Sequence, residues 1–574
     1  MAGARGARPI GCAALALALA AGPALPAPAA GAGTVWPRAW SAPAGRGPDW
    51  TGRAATLYTS GTATSAPVSF NPLSAKAYTG SQGLLYEPLF LWDPLKDRML
   101  PWLATGAAWL SPTEFRIDVR PGADWVDSTT AAKVGTVGTA DVAYSIELAR
   151  SDTADPYHPL VASVSSVTTG TNSVTVRFSA PVDYAQWQEY LWHAPVLPKA
   201  VWSALSPAQA VTDPNLAPVA SGPMVLGRVD DRGACYGVNP HWWAKPALGL
   251  SFSFTRLCDM VSGPSGEQLS SLLSGRLDWS NTLLRGVANL TGTKASGYDI
   301  QTYYPSPPYM LAASTAYLAM NTSAPPTDQL GLRRALAQAL DPAVVASGDY
   351  AGTVQVANPT GLLPELSGWV DARVVKRYAF HYSPGDARHE LEKSGYRHQL
   401  LHLLVPGGSE DFVRAASTIA SQLSAAGARL AVVVEPRGSV EAAVAAGRYQ
   451  LALVMGGGLA STPWPYFSGI YAPSGGGRTE VDATAWSLLQ QADHTPTSDT
   501  VALHRLYSAL EQRALQQLPV VPLWYSGAWF EASTSHWSHY PVAGSRTDWY
   551  TPVMWPGWLG AATTVLALAR LRPA

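Results

Sequence analysis

LAVVVEPRGSVEAAVAAGRYQLALVMGGGLASTPWPYFSG, residues 430–469, changes texture three times in one short run. Leu430 to Glu435 is a β-branched stretch of the kind that fits a pleated, half-buried surface. Ser439 to Ala446 is rich in alanine and reads as a short helix, and Tyr449 to Met455 returns to strand. That β-α-β alternation argues for an α/β lobe. The glycine run Gly456–Gly458 follows directly from the end of the second strand, where ligands collect in open α/β sheets. The run is not a phosphate loop, because the G-x-x-x-x-G-K-[ST] spacing is missing and no lysine follows. Its expected role is close backbone approach, leaving room for a ligand beside the strand end. Trp464 and Tyr466, set between Pro463 and Pro465, add two flat rings on what reads as a proline-stiffened loop.

The pattern extends outward from this stretch. Phe412 to Ala426 is an amphipathic helix. Asp328 to Leu340 is another, with Leu330, Leu332, Leu336 and Leu340 near one face and Pro342 stopping or restarting it. Nearer the N-terminus, Ala55–Thr59, Glu114–Val119 and Ser173–Phe178 read as strands, the last two alternating polar and apolar residues as half-buried strands do. Thr139 reads as the N-cap of a helix with Asp141 in its first turn. No internal repeat is visible.

A chain of 574 residues exceeds what one core supports, so at least two lobes are expected. Its net charge of −1 and its 14% charged residues give no basic face for nucleic acid. Trp (22) and Tyr (24) both outnumber Phe (10). These residues join a large flat face to a polar edge, which suits surfaces that are half apolar and half wet. At the N-terminus, Arg5 and Arg8, the small apolar run Gly11–Leu25 and Ala27-Pro28-Ala29 form the pattern of a secretory signal over residues 1–29. Cys12 stands at the start of the apolar stretch instead of closing it, so it does not read as a lipid-attachment site. Residues 30–54, rich in Ala, Pro and Gly, read as a flexible tether. Gly557 to Ala569 is apolar but shorter than the roughly 20 residues of a membrane span, which leaves an anchored tail or a docked or frayed one.

The order of landmarks resembles the extracellular solute-binding proteins of family 5, the oligopeptide- and dipeptide-binding type that serves ABC importers. Tyr86-Glu87-Pro88-Leu89 and Pro101-Trp102-Leu103-Ala104 are similar to two family stretches. Trp125-Val126-Asp127 with Thr139-Ala140-Asp141-Val142 resembles a third, with Ser128 where a glycine usually stands. Pro195–Lys199, Ser221-Gly222-Pro223, Asn239–Trp243, Asn321 with Arg333–Leu336, and Pro519–Leu523 continue the series. The resemblance implies a two-lobed α/β fold of the periplasmic-binding-protein type (cluster C), with an extra subdomain in the first lobe and hinge strands between lobes. Lobe I would span 55–312, lobe II 313–525, and 526–556 would return to lobe I, with 557–574 as an apolar tail. It further implies an extracytoplasmic protein, at the cell surface or in the periplasm, that encloses a ligand between its lobes. Such a protein then delivers the ligand to permease subunits without altering it.

Peptide binders of this family carry an acidic residue after the strand, which pairs with the ligand's ammonium group. Met455–Ser461 holds no acid here, and a buried ammonium without a carboxylate is costly. Arg437 also stands near where those binders tend to have a tryptophan. An oligosaccharide, such as the β-linked ones some members bind, is therefore expected, with an oligopeptide as the alternative. Trp464 and Tyr466 would stack on the sugar, unless they plug a lobe interface instead. Tyr157, Trp192 and Tyr309 fall in loops where the family places ligand-facing side chains, and Asn321 is either a hydrogen-bonding contact or a hinge cap. Cys235 and Cys258 flank a turn, on runs that could be adjacent antiparallel strands. A disulfide there would be worth about 3 kcal/mol, the alternative being two buried thiols. No cofactor or metal is expected, since no Cys/His cluster has zinc spacing. A glycoside hydrolase would need two facing carboxylates; none falls in an aromatic segment, and no G-x-S-x-G elbow occurs. No enzyme activity is expected.

Overall fold

The computed structural model describes residues 55–574, except 61–64, 75, 182–183, 262, 285, 287–288, 291–299, 408–409, 472–481, 528–530 and 546–563. The signal and tether readings, part of the 526–556 return and residues 557–563 of the tail lie outside the described residues. The described chain divides into two compact units, 314–350 with 356–525, and 55–313 with 351–355 and 526–574. The short excursion at 351–355 has no counterpart in the sequence reading.

The smaller unit is built on the stretch that opened the sequence analysis. Strand Leu400–Pro406 pairs in parallel with both Arg429–Glu435 and Leu451–Gly456. Helices Glu410–Ala425 and Arg437–Ala445 make the two crossings between these strands, as a parallel arrangement requires. Phe412, Ala415, Ala416, Ile419 and Leu423 are the buried stripe of the first helix. Their spacing repeats each helical turn, and each large side chain buried contributes about 1.5–3 kcal/mol. Strand Ala312–Met320 joins antiparallel, with Thr315 opposite Gly456 and Met320 opposite Leu451. Val520–Gly527 and the edge pair Gln355–Val356 complete a six-stranded sheet.

In the larger unit, Thr56–Ser60 lies inside a seven-stranded mixed sheet, parallel to Arg256–Met260 and Trp279–Ser280. A separate antiparallel sheet orders Ala104–Ser111, Glu114–Val119, Ser173–Phe178 and Val164–Thr169. Phe115, Ile117 and Val119 are buried along one face of it, as are Val174, Val176 and Phe178, because side chains alternate across a strand. Helix Thr139–Ser151 starts one residue earlier than expected. Gly138 is its N-cap, held by Asp141 Oδ2, which accepts the Gly138 N–H at 2.9 Å. Strands Gly233–Val238 and Arg256–Met260 pair antiparallel with Cys235 directly opposite Cys258, and the two sulfurs are bonded.

The end of the chain docks. Thr564–Leu568 is a short helix, and Arg572–Pro573 pairs with Trp537–Ser538. Of the apolar run 557–569, the described residues Val565, Ala567 and Leu568 are buried, as is Leu571 beyond it. Among the described residues no helix is long and apolar enough to cross a membrane.

The tryptophan excess also has an internal explanation. Trp102, Trp125, Trp242 and Trp243 are buried, and each donates its indole N–H to a carboxylate: Trp125 to Asp141 at 3.1 Å, the other three to Glu87. Phenylalanine would fill the space but leave those carboxylates bare. The excess therefore belongs in good part to the core and not to half-wet surfaces.

Two other buried carboxylates set a pH dependence. Glu531 accepts hydrogen bonds from the Ser280 hydroxyl at 2.7 Å and the Leu284 N–H at 3.1 Å, yet burial pushes it up to about 8. Burial alone pushes Glu189 up to about 8. The folded chain thus keeps protons that the unfolded chain releases in the ordinary carboxylate range. This contribution is full below that range and is lost as pH rises toward 8. Calorimetry is expected to show the melting temperature falling between pH 5 and pH 8, and Glu189→Gln to flatten that slope; an unchanged slope would contradict it.

Candidate functional site

Strand Leu451–Gly456 delivers the glycine run to the end of the sheet where Thr315 sits. Space at that end is already taken. A Cβ at residue 456 would lie 2.3 Å from the Tyr317 ring, and one at residue 457, where φ is +68°, would lie 3.2 Å from Tyr466. The glycines therefore make room for the chain's own tyrosines, which corrects the expectation that they leave room for a ligand.

Trp464 and Tyr466 do not sit on a loop. They lie in helix Trp464–Tyr471 and are 5% and 4% exposed, so neither offers an open ring face for stacking. Tyr466 packs edge-on against Tyr317 and Phe467. Its hydroxyl and the Trp464 Nε1 are buried without a hydrogen-bond partner. Burial, with Tyr317, Tyr525 and Tyr471 nearby, pushes the Tyr466 hydroxyl well above its ordinary range, so it stays a neutral donor. Opposite it, the loop Asn358–Leu362 is tightly held. Asn358 Oδ1 accepts from the Thr360 N–H at 2.9 Å and the Gly361 N–H at 3.0 Å. The Thr315 hydroxyl donates to the Gly361 carbonyl at 2.7 Å, and the Tyr525 hydroxyl donates to the Leu362 carbonyl at 2.6 Å.

Asn321 is at the other end of the same sheet. Its Nδ2 donates to the Gly447 and Tyr449 carbonyls, both at 2.8 Å, and its Oδ1 accepts from the Ser323 N–H at 3.0 Å. With its amide committed it caps the strand end. That is a capping role, and Asn321 also lines a cavity at this end of the sheet.

Tyr157, Trp192 and Tyr309 belong to the larger unit and are buried. Tyr157 precedes the short helix His158–Val161, and its hydroxyl accepts from Gln82 Nε2 at 2.5 Å. Trp192 stacks on Trp92 with ring centres 5.1 Å apart. Tyr309 has a φ of +60° in a turn where its N–H reaches the Ser306 carbonyl at 2.9 Å. All three do structural work in these positions, and none presents an open face. Sequence reasoning missed Tyr317, Gly361 and Tyr525, which surround Tyr466. Strand Ala312–Met320 is buried on both faces and does not alternate, so its sequence does not single out Tyr317, and the others come from distant segments. Among the described residues no group of three or more His, Cys, Asp or Glu is placed to hold a metal ion.

Comparison with known proteins fits this architecture. Residues 98–478, more than half of the chain, match the bacterial extracellular solute-binding proteins, family 5 (middle region). The chain belongs to that family. A periplasmic oligopeptide-binding protein of an oligopeptide ABC transporter from Thermotoga maritima is 28% identical, with a TM-score of 0.84 over 91% of this chain and 100% of that one. A crystal structure of that protein with mannohexaose bound gives 29% identity and a TM-score of 0.81, covering 91% and 99%. The peptide transport periplasmic protein SapA of Salmonella typhimurium LT2 is 27% identical over 46% of this chain and 45% of its own length. The match thus spans less than half of that curated relative.

Proposed function

We propose that this family 5 protein is the extracytoplasmic receptor of an ABC importer and that its ligand is a neutral oligosaccharide. The observation that carries the ligand class is the uncharged loop Gly456–Ser461. A peptide's ammonium group buried beside that loop would find no carboxylate in it, at a cost of several kcal/mol. A hydroxyl-bearing ligand needs no such charge. The Trp464 indole N–H and the Tyr466 hydroxyl have no protein partner but are sealed inside the fold, so the reading rests on the uncharged loop. The mannohexaose complex of the Thermotoga maritima relative supports the sugar reading, while the peptide descriptions of that protein and of SapA support an oligopeptide as second reading. Delivery to permease subunits follows by population shift: ligand that binds one conformer better raises that conformer's share, and the permease reads the conformer.

Isothermal titration of the purified chain with mannohexaose and cello-oligosaccharides, beside tri- and tetrapeptides, tests the ligand class. Heat from a sugar and none from peptides is the expected result. Peptide binding without sugar binding would reverse the assignment.

A further inference from the structure

We propose that the smaller unit carries a second site, for a small neutral polyhydroxylated ligand such as a monosaccharide, at the opposite end of its sheet from the glycine run. A cavity of about 420 Å³ lies there, lined by Met320, Asn321, Asp328, Arg333, Tyr471 and Arg513 among others. That volume is within the range of small-molecule sites, about 300–1,000 Å³. The strand Ala312–Met320 measures the separation: Thr315 faces Gly456 at one end and Met320 faces Leu451 at the other, about 17 Å at roughly 3.3 Å per residue. The cavity shares one wall with the glycine-run region, since Tyr317 both lines it and packs on Tyr466.

Its walls contain unmet hydrogen-bonding capacity. Tyr471 is 4% exposed and its hydroxyl has no partner. Asp328 Oδ1 is likewise buried and unpartnered. Arg333 donates through Nε to the Gln517 carbonyl at 2.9 Å and through Nη1 to the Thr327 and Asp328 carbonyls at 2.8 Å, which leaves Nη2 uncommitted. Arg513 is paired with Asp482, whose Oδ1 caps helix Ala483–Asp493, so this pair is a fixed wall. Residues 472–481, between Tyr471 and Asp482, lie outside the described residues. The lining combines two carboxylates, Asp328 and Asp482, with two guanidinium groups, Arg333 and Arg513. An anion or a cation would leave one sign uncompensated in a partly desolvated space. A polyol fits the balance: one hydroxyl donates to Asp328, and its neighbours accept from Arg333 Nη2 and Tyr471.

Ligand-observed NMR with mannose and glucose, and with alanine and inorganic phosphate as competitors of other chemistry, tests the site. The wild-type chain should bind a monosaccharide, and Asp328→Ala and Tyr471→Phe should each weaken that binding about tenfold or more. Tyr471→Phe removes an unpartnered hydroxyl, so the melting temperature without sugar should not fall; this keeps the test valid if Asp328→Ala folds poorly. Oligosaccharide titration of Tyr471→Phe separates this site from the oligosaccharide proposal: oligosaccharide affinity should stay at the wild-type value while monosaccharide binding falls. No binding of either sugar, binding unaffected by both variants, or binding of alanine or phosphate instead would overturn the proposal.

Discussion

Glu87→Ala is expected to remove most of the stability of the larger unit. The Glu87 carboxylate is 1% exposed. Its Oε1 accepts the indole N–H groups of Trp102 at 2.9 Å and Trp242 at 3.1 Å. Its Oε2 accepts the Trp243 indole at 3.0 Å and the Ser221 hydroxyl at 2.8 Å. Burial pushes the carboxyl up to about 7, while these four donors pull it down; the Arg120 guanidinium stacked 4.5 Å over the Trp243 ring adds favourable charge. Alanine would strand the donors in the core, each at about 1–3 kcal/mol. Even with partial relaxation the loss should reach about 5 kcal/mol, the size of a whole domain's margin. Glu87→Gln keeps the volume but turns an NH₂ toward indole donors, so an intermediate loss is expected. Urea unfolding followed by tryptophan fluorescence would resolve this, with two transitions analysed separately because two units need not unfold together. An alanine variant whose larger unit unfolds at the wild-type urea midpoint would contradict the assignment.

That cradle shows how far the sequence could be read and where it stopped. Tyr86-Glu87-Pro88-Leu89, Trp102 and Asn239–Trp243 were recognisable as landmarks of one family, but nothing in their spacing says that three indoles meet on one carboxylate. Long periodic elements were legible: Glu114–Val119 and Ser173–Phe178 have the expected bounds, and Glu410–Ala425 lies within two residues of them. Their pattern repeats on the strand or helix period, so local sequence is enough. The Pro-Trp-Pro-Tyr stretch misled, because prolines suggest a loop. Here Pro465 stands in the first turn of a helix, where its missing N–H would have had no partner anyway. Asn321 was ambiguous for another reason. An asparagine at a strand end can serve a ligand or the backbone, and the distant carbonyls of Gly447 and Tyr449 show the second role.

Gly361→Ala should be the second large effect, and it tests whether the glycine-run site is held together by one glycine–tyrosine contact. Residue 361 has a φ of +79°, a backbone region that costs a side-chain-bearing residue about 1–2 kcal/mol. A Cβ there would lie 1.9 Å from the Tyr466 hydroxyl oxygen, 2.5 Å from its Cζ and 3.0 Å from Pro522 Cγ, and such overpacking costs about 1–3 kcal/mol more. The Gly361 loop cannot simply retreat, because Thr315 and Asn358 bind it at 2.7 Å and 3.0 Å. Tyr466 must move instead. A stability loss of about 3 kcal/mol and at least a tenfold fall in oligosaccharide affinity are expected. Tyr466→Ala alone should cost about 3–5 kcal/mol as a large-to-small core change. In the double variant the collision is gone, so the two losses should fall short of their sum by about 1–2 kcal/mol, the backbone cost at residue 361 remaining. Calorimetry on the four proteins gives this coupling directly. Strict additivity would mean that the ring and the glycine do not meet, and the loop would then owe its shape to the Asn358 and Thr315 hydrogen bonds alone.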